Sequence, residues 1–477
     1  MGMHPLRRQV SQGGVMKIKI LNFWYRLQES FWFLPAVMAG AAILLSFVTI
    51  AIDKMFLYRE GAQHWWIYGG GPDGARTVLS VIAGSMITVA GVVFSITIVV
   101  LSLASSQFGP RLIRNFMNVR ANQMVLGTFV ATFIYGVLVL RTVNAVLDAR
   151  FVPGLSVTIA VVMSLLSLGV LIYFIHNVSE SIQAQNIIAK VCRDLDKAVE
   201  RIFPEKMGRE DDLSNGPIKR DYDIPKACDR DVCQVKADRS GYLQAVDNDA
   251  LIRIAVEENL LVHLGYRPGN FITRGSVLVT VWPGERVDEG LSEKINAIFI
   301  LGPERTLEQD VEFAISQLVE IAVRALSPGI NDPITANTCI DWLGVSLSQL
   351  ANRKMPSSHR FDQEGRLRVI CKPFDFEGMV DAAFNMIRQN SQSVAAVSIH
   401  LLETIATVAA QTFRKEDRAS LSRHAAMVVH GCKERLSDDD DRKDLERRYE
   451  AALEILNGEP VRTALNPESD SRQQKTA

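Results

Sequence analysis

Four long apolar stretches dominate the first part of the chain. A helix needs about 20 apolar residues to cross about 30 Å of hydrocarbon, and each stretch reaches that length. Trp and Tyr residues flank the first stretch on both sides, as is usual at membrane interfaces. The pattern predicts a four-helix membrane domain in contact with the lipid bilayer. Its spans are predicted at residues 31–52, 77–110, 124–146 and 152–175.

The second stretch is longer than one bilayer crossing, and small and hydroxylated residues mark one of its helical faces. Gly84, Thr88, Gly91, Ser95 and Ser102 recur at spacings of three, four and seven. Such a face either allows close helix packing in lipid or lines a permeation path with its hydroxyl groups. Four helices from one chain carry too few polar groups to enclose a channel, so the second interpretation requires a homo-oligomer.

Arg141 is the one charged residue embedded in these predicted spans. Ionisable residues inside a membrane are functional candidates, because burying their charge in hydrocarbon is costly. Arg141 also lies close to the end of the third stretch, where a long basic side chain reaches the interface by snorkelling. The sequence supports both interpretations.

Basic residues determine the predicted orientation. Lys and Arg precede the first span, occupy the loop after the second and follow the fourth, and all three segments lie on one side of a four-span bundle. The positive-inside rule assigns that side to the cytoplasm. Both termini are therefore expected to be cytoplasmic.

After the fourth span the pattern becomes that of a soluble domain. The span is expected to continue as a helix toward Ile202, and a linker punctuated by Pro and Gly follows. Alternating and β-branched runs within residues 240–283 predict short strands separated by turns.

The predicted fold is a membrane α-helical four-span bundle followed by a soluble α+β cytoplasmic domain. Its segments are a basic cytoplasmic N-terminus at 1–30, the four-helix membrane domain at 31–177, a helical stalk and linker at 178–238, a small β-rich module at 239–300, a helical cytoplasmic domain at 301–457 and a disordered tail at 458–477.

The densest motif of the soluble part begins at Arg305. Thr306 and Gln309 fit a capping box, which predicts a helix that starts at Thr306 and is apolar around more than half of its circumference. Such a helix should be buried in a core or a subunit interface. Asp310, Gln317 and Arg324 repeat at seven beside the apolar face. They could form a buried ion pair with a bridging amide, or contact a ligand.

A turn-rich loop, residues 327–333, follows this helix. Asp332 before Pro333 matches an N-cap followed by proline at the first helical position. Asn331, Asp332 and Asp341 also carry the oxygen ligands that Mg²⁺ or Ca²⁺ prefers. Capping explains Asp332 without a metal, so no metal site is assigned, and the loop is a candidate contact for a small ligand, an ion or a neighbouring subunit.

Charge and cysteine content exclude several classes of partner and chemistry. The formal net charge of −1 combines a basic membrane half with an acidic soluble half, so no nucleic-acid partner is expected. The six cysteines are scattered without a CxxC pair, which gives no zinc motif. No nucleophile elbow, P-loop or dinucleotide fingerprint occurs, so neither a cofactor nor a catalytic residue is predicted.

Several segments together resemble one protein family. The strings RTLEQD (305–310) and RALSPGINDP (324–333), the Thr335-Ala336 and Cys339–Asp341 positions, and SSQFGPRLIRNF (105–116) are similar to the bacterial membrane-protein family called domain of unknown function 2254. The resemblance runs from the first span to the C-terminal helices. It implies a multipass protein of the bacterial inner membrane and implies no particular activity.

These observations leave three functional hypotheses. The first is an oligomeric channel or transporter-like module regulated by its cytoplasmic domain. The second is a membrane-anchored sensor or scaffold whose cytoplasmic domain binds a small ligand or a partner protein. The third is an enzyme, for which Arg305, Asp310, Asn331, Asp332 and Asp341 supply the available acid–base groups; the sequence favours the first two.

Overall fold

The structure is a computed structural model that describes residues 32–57, 68–109, 120–144, 152–181, 183–203 and 231–458. The chain divides into two compact units, residues 1–186 and 187–477, each described by itself. Predictions for the basic N-terminus, the loop holding Arg111 and Arg114, most of the linker and the C-terminal tail lie outside the described residues.

The first unit contains four helices that are long and apolar enough to cross a membrane, which confirms the predicted membrane domain. The longest has 37 residues, or about 55 Å at 1.5 Å per residue, and so exceeds a bilayer core of about 30 Å. The helices are α1 (Phe33–Leu57), α2 (Pro72–Phe108), α3 (Arg120–Asn144) and α4 (Gly154–Ser181).

Helix α3 is the centre of this bundle, because it packs against α1, α2 and α4. Phe129, Tyr135 and Val139 of α3 are almost fully buried. Gly127 allows α1 to approach closely: a Cβ there would lie 2.5 Å from Sδ of Met38. Large apolar side chains on the outer surfaces of α1, α2 and α4 stay exposed, as expected of helices that face lipid.

The fourth span does not continue as one helix to Ile202, so that expectation is wrong. Helix α4 ends at Ser181, and a separate amphipathic helix, α5 (Ala184–Ile202), follows it. Asn186 donates its side-chain amide to the carbonyl of Glu180 at 2.8 Å, which satisfies an acceptor at the end of α4. The apolar face of α5, including Ile188 and Leu195, is buried in the second unit.

Two small sheets and two short helices form the β part of the second unit. A five-stranded sheet has the order β1-β5-β3-β8-β7, and a three-stranded sheet has the order β4-β2-β6. Within this part β8 pairs parallel to β3, whereas its other neighbour β7 is antiparallel. The elements are β1 (Cys233–Lys236), β2 (Gly241–Val246), α6 (Asn248–Glu257), β3 (Leu261–Leu264), β4 (Phe271–Ile272), β5 (Val277–Trp282), α7 (Glu289–Ile298), β6 (Phe299–Gly302), β7 (His359–Phe361) and β8 (Leu367–Ile370).

Six further helices complete the second unit. The predicted burial of the helix in the central motif is confirmed, since α8 has no exposed residue and packs on α9 and α10. The other pairs in contact include α9 with α11, and α11 and α12 with α13. The helices are α8 (Val311–Ala325), α9 (Pro333–Ala351), α10 (Phe376–Asn390), α11 (Ala395–Ala410), α12 (Lys415–Lys433) and α13 (Asp439–Asn457).

The predicted capping box at Thr306 is wrong. Helix α8 begins at Val311, and Asp310 is its N-cap, accepting from the Phe313 amide at 3.0 Å. The amide of Gln309 is instead engaged across the fold, where it accepts from N–H of Val246 and donates to the same residue's carbonyl. This tertiary contact uses the group that the capping box would need, and the N-cap lies at Asp310, four residues after the predicted cap at Thr306.

Candidate functional site

Helix α2 has two opposite faces of different character. Ala75, Leu79, Ile82, Met86 and Val93 are buried against the rest of the bundle. At about 100° per residue, these positions centre about 180° from Gly84. The predicted small and hydroxylated stripe therefore lies directly opposite the buried face. All five of its residues, Gly84, Thr88, Gly91, Ser95 and Ser102, are exposed, and we call them the α2 stripe.

The glycines of the α2 stripe do not serve packing among the described residues of the membrane unit. A Cβ built on Gly84 or Gly91 would meet nothing within 4 Å, in contrast to Gly127 of α3. Exposed apolar side chains such as Val81, Val92 and Leu103 border the stripe. The hydroxyl of Thr88 donates to the Gly84 carbonyl at 2.8 Å, which leaves its oxygen lone pairs available as acceptors.

Arg141 lies in the last turn of α3 and is exposed. The apolar span within this helix ends at Val143, two residues further on. From such a position a long basic side chain reaches the membrane surface, so its place fits the snorkelling interpretation.

The sequence reasoning missed Asp53, the buried carboxylate of the membrane unit. It lies in the last apolar turns of α1 and is 8% exposed. Its two oxygens accept from the backbone amides of Leu155 and Ser156 at 3.0 and 2.9 Å, and from the Ser156 hydroxyl at 2.6 Å. A carboxylate on α1 thus caps the N-terminus of α4, where both the orphan amides and the helix dipole favour negative charge.

Thr49 and Tyr135 extend this polar group toward the centre of the bundle. The Tyr135 hydroxyl lies 3.0 Å from the hydroxyl of Thr49 and 3.1 Å from the Ser156 carbonyl. The network connects α1, α3 and α4, so it orients three helices at one end of the bundle. The only sequence signal was the acidic residue just beyond the predicted end of the first span.

In the second unit, Arg305 and Asp310 form a bidentate ion pair. Nε and Nη2 of Arg305 donate to the two carboxylate oxygens at 2.7 and 2.9 Å. Asp310 is 1% exposed and also caps α8, so its carboxylate oxygens are fully engaged. The guanidinium of Arg305 lies 5.4 Å from the ring centre of Phe313, a cation–π distance.

A second ion pair adjoins the first. Arg267, in the turn before β4, bonds to Glu312 and lies 4.8 Å from the ring centre of Phe374. Burial raises the pKa of Glu312, and the positive charge of Arg267 partly offsets this effect. Gly269 of the same turn has φ +95°, and a Cβ there would lie 2.4 Å from Oδ2 of Asp310. The two ion pairs and this close approach join the β part of the unit to α8.

Gln317 and Arg324 do not join Asp310 in one network. Arg324 is fourteen positions after Asp310, or about 21 Å along a helix, so these two residues do not form the buried ion pair that was one of the two interpretations of their spacing. Arg324 instead lies 3.9 Å from Glu320. Gln317 is buried on α8, and its side-chain oxygen has no hydrogen-bond partner among the described residues.

The loop that follows α8 is tightly hydrogen-bonded. The amide of Asp332 donates to the Ala325 carbonyl at 2.8 Å, and Asn331 has φ +50°. Asp332 caps α9 through the Thr335 amide and hydroxyl, and the hydrogen bond from that hydroxyl lowers the pKa of Asp332. Ile330 in the loop is 41% exposed, and Ile334 in the first turn of α9 is 79% exposed.

Asp341 and Asp332 have different interaction partners. Its carboxylate is 2.6 Å from Nε2 of His400 on α11. Within the described residues, no three His, Cys, Asp or Glu side chains are arranged to hold a metal ion. Asp332 is thus engaged with the start of α9 and Asp341 with His400, while Arg305 and Asp310 pair with each other.

Residues 28–407 match a family model described as "Predicted membrane protein (DUF2254)". The chain belongs to the DUF2254 family. It is 32% identical over 430 residues to two relatives, uncharacterized protein Mb1321c of Mycobacterium bovis and uncharacterized protein Rv1290c of Mycobacterium tuberculosis. Each alignment covers 87% of this chain and 78% of the relative. No solved structure matches the chain. The DUF2254 match includes all four spans, the α2 stripe and the motif around α8, and it ends before α12.

Proposed function

We propose that this DUF2254 protein is an oligomeric channel or transporter-like module in which the α2 stripes of several copies face one another. The observation that carries the proposal is the placement of the stripe opposite the buried face of α2, where none of the described helices of the membrane unit covers it. Because the stripe is bordered by large apolar side chains, it is a narrow polar strip on an otherwise lipid-facing surface.

Both physical uses of such a strip require a neighbour. Small residues let helix backbones approach closely, which is the main source of attraction between helices in lipid. Hydroxyl groups that face a shared lumen can bind water or partly dehydrated ions through their free lone pairs. One stripe lines only one side of a path, so a continuous path needs several copies around an axis.

The proposal includes a location and an orientation. The basic segments before α1, after α2 and after α4 favour an inner membrane with both termini in the cytoplasm. The second unit would then be cytoplasmic, where it can regulate the path.

Ion flux through proteoliposomes containing the purified full chain tests the proposal. We expect flux above that of empty vesicles, and about a tenfold loss for Ser95→Leu or Ser102→Leu, which place a bulky apolar group on the stripe. Ser85→Leu is the matched control, because Ser85 is also exposed on α2 but lies about 100° around the helix from Gly84. Absence of flux for the unaltered chain, or equal loss in all three variants, would refute the proposal.

A second candidate function, a membrane-anchored scaffold or sensor, is favoured by the loop between α8 and α9. Ile330 of this loop and Ile334 of the adjoining first turn of α9 are both exposed, and neighbouring exposed apolar side chains favour a protein contact. A thermal-shift series of the full chain with metabolites and ions tests ligand sensing, and a flat profile throughout argues against it. Ile334→Ser should leave the melting temperature unchanged, since this side chain is 79% exposed, and should abolish binding of a scaffold partner.

A further inference from the structure

Helices α10 and α12 meet around a fully buried histidine. His424 of α12 is 0% exposed, and its ring packs edge-on against Phe384 of α10 at 6.0 Å between ring centres. Its Nε2 lies 2.7 Å from a carboxylate oxygen of Asp381 on α10. With Asp381 ionised, Nε2 carries the hydrogen of a neutral imidazole, which makes Nδ1 the acceptor nitrogen.

The second ring nitrogen, Nδ1, is in a different environment from Nε2. Nδ1 of His424 is buried without a hydrogen-bond partner among the described residues, as are Oγ of Ser420 and Nε of Arg388. A second proton on the ring would go to Nδ1, where the described structure offers it no acceptor. Burying such a proton without an acceptor disfavours the packed arrangement.

The charged groups around His424 act in opposite directions. Asp381 favours the imidazolium, whereas Arg388 of α10 and Arg423 of α12 oppose it. Asp381 is shared, because Arg423 also donates to it at 2.6 Å. Burial is the largest influence and lowers the pKa of His424, with the two arginines adding to it.

The other helices packed on α12 are α11 and α13, and the titratable groups in contact with them include two near the far end of α12. Cys432, which faces Ser398 of α11, has a pKa raised by burial. Lys433 lies 3.8 Å from Glu446 of α13, and both are exposed. Cys432 and Lys433 are eight and nine residues beyond His424. The charged groups that act on the His424 ring are therefore mainly Asp381, Arg388 and Arg423.

We propose that the contact between α10 and α12 is a pH-sensitive device, closed while His424 is neutral and opened when His424 takes up a second proton. A histidine that is hard to protonate in the closed state has an ordinary pKa near 6.5 once the contact opens. The open state therefore binds more protons below about pH 6.5, and acidification shifts the equilibrium toward it by up to about tenfold per pH unit. The proposal is independent of the α2 stripe.

The chain supplies a matched control in His400 of α11. It makes the same kind of contact, with Nε2 2.6 Å from Asp341, but both partners are accessible to solvent. A proton taken up by the His400 ring can be hydrated, so this pair should not control opening. His400→Gln and His424→Gln thus remove chemically similar histidines from an accessible and a buried site.

Hydrogen–deuterium exchange of the full chain in detergent at pH 7.5 and 5.5, corrected for intrinsic exchange rates, tests the proposal. Protection of Phe376–Asn390 and Lys415–Lys433 should fall about tenfold at pH 5.5 in the unaltered chain and in His400→Gln, and should stay level in His424→Gln. Equal protection at both pH values in the unaltered chain, or an unchanged pH effect in His424→Gln, would overturn it.

A second variant keeps the test decisive if His424→Gln fails to fold. Arg388→Met retains His424 and removes one of the two cations that oppose its protonation. The folded-state pKa of His424 should then rise, so that protection falls less at pH 5.5 than in the unaltered chain. A loss as large as that of the unaltered chain would contradict the assigned role of His424.

Discussion

At the residue scale, the contact between the turn at Gly269 and the start of α8 depends on one missing side chain. Gly269 combines a left-handed φ of +95° with a position against Asp310. Gly275 also has a positive φ, +86°, but a Cβ there would meet nothing within 4 Å. The two glycines therefore separate the cost of backbone conformation from the cost of the contact.

Gly269→Ala should lower the free energy of unfolding by about 3 kcal/mol, because it adds a collision with a buried ion pair to the backbone cost of about 1–2 kcal/mol. Gly275→Ala should lower the free energy of unfolding only by the backbone cost. Chemical denaturation of the full chain in detergent, followed by tryptophan fluorescence, measures both. Equal losses in the two variants would show that the contact with Asp310 adds nothing.

Asp310→Ala should lower the free energy of unfolding by about 3 kcal/mol, since it removes the α8 cap and leaves Arg305 without its partner. Glu364→Ala, which breaks an exposed pair with Arg366, should change it by less than about 1 kcal/mol. The same denaturation experiment compares them. If Asp310→Ala proves as mild as the surface variant, Asp310 is not structural and its ligand-binding role returns.

Sequence reasoning singled out Arg305 and Asp310 but not their joint role. The two residues are only five positions apart, but the capping-box pattern at Thr306 favoured Thr306, rather than Asp310, as the N-cap of the helix. Arg267 was missed because its partner, Glu312, is 45 residues away and nothing in the local pattern connects the two. Asp53 was missed for the same reason, since its acceptor role depends on amides about one hundred residues away.

At the element scale, α2 follows its periodicity closely. Small and hydroxylated residues recur on one face of α2 and apolar residues on the others, so the stripe could be located from the sequence alone. Which face would be buried was not predictable, because a small-residue face is usually a packing face. The structure assigns packing to the opposite face, through the central helix α3.

Gly84→Ala together with Gly91→Ala should leave the monomer fold intact and stabilise α2 by up to about 1 kcal/mol per site, because alanine is the better helix former. If α2 stripes of neighbouring copies touch, the added methyl groups should weaken the oligomer. Size-exclusion chromatography with light scattering in detergent measures the change. Gly127→Ala is the contrasting variant, since its Cβ would collide with Met38 and should reduce the stability of the unit itself.

The last helices of the second unit depend on Arg418. Its buried guanidinium donates to the carbonyls of Ala409 and Thr412 at the end of α11, and to those of Leu456 and Gly458 at the end of α13. These are the acceptors that helix C-termini leave without internal partners. One side chain thus caps two helices.

Arg418→Met should destabilise the second unit by about 3 kcal/mol or more, because a charge-assisted hydrogen bond contributes about 1.5–3 kcal/mol and several are lost. Exchange protection of α13 should fall first. Arg447→Met, on the exposed surface of α13, is the control and should have little effect. Unaltered α13 protection in Arg418→Met would show that the cap is dispensable.

Local pattern predicted most helices but not the elements that depend on distant partners. The break between α4 and α5 is one example, since both sides of it are helical in propensity. The parallel pairing of β8 with β3 is another, because it joins segments about one hundred residues apart around the intervening helices. Such pairings are determined by tertiary packing, which periodicity does not encode.

At the scale of the whole molecule, the division into a membrane unit and a soluble unit follows directly from hydropathy. The membrane unit has a packed centre at α3 and a buried polar network at one end. Large apolar side chains are exposed on the outward surfaces of α1, α2 and α4, and the α2 stripe lies among them. Assembly of several copies through that strip is the central claim of the proposed function.

Disulfide or short bis-maleimide cross-linking between copies in native membranes tests this claim most directly, with cysteines introduced singly at Ser95, Ser102 and Ser85. The unaltered chain, whose cysteines all follow the spans, provides the baseline. We expect Ser95→Cys and Ser102→Cys to give cross-linked multimers at about tenfold the yield of Ser85→Cys, which is off the stripe. Multimers from Ser85→Cys at the same yield, or none from Ser95→Cys and Ser102→Cys, would contradict the proposed assembly.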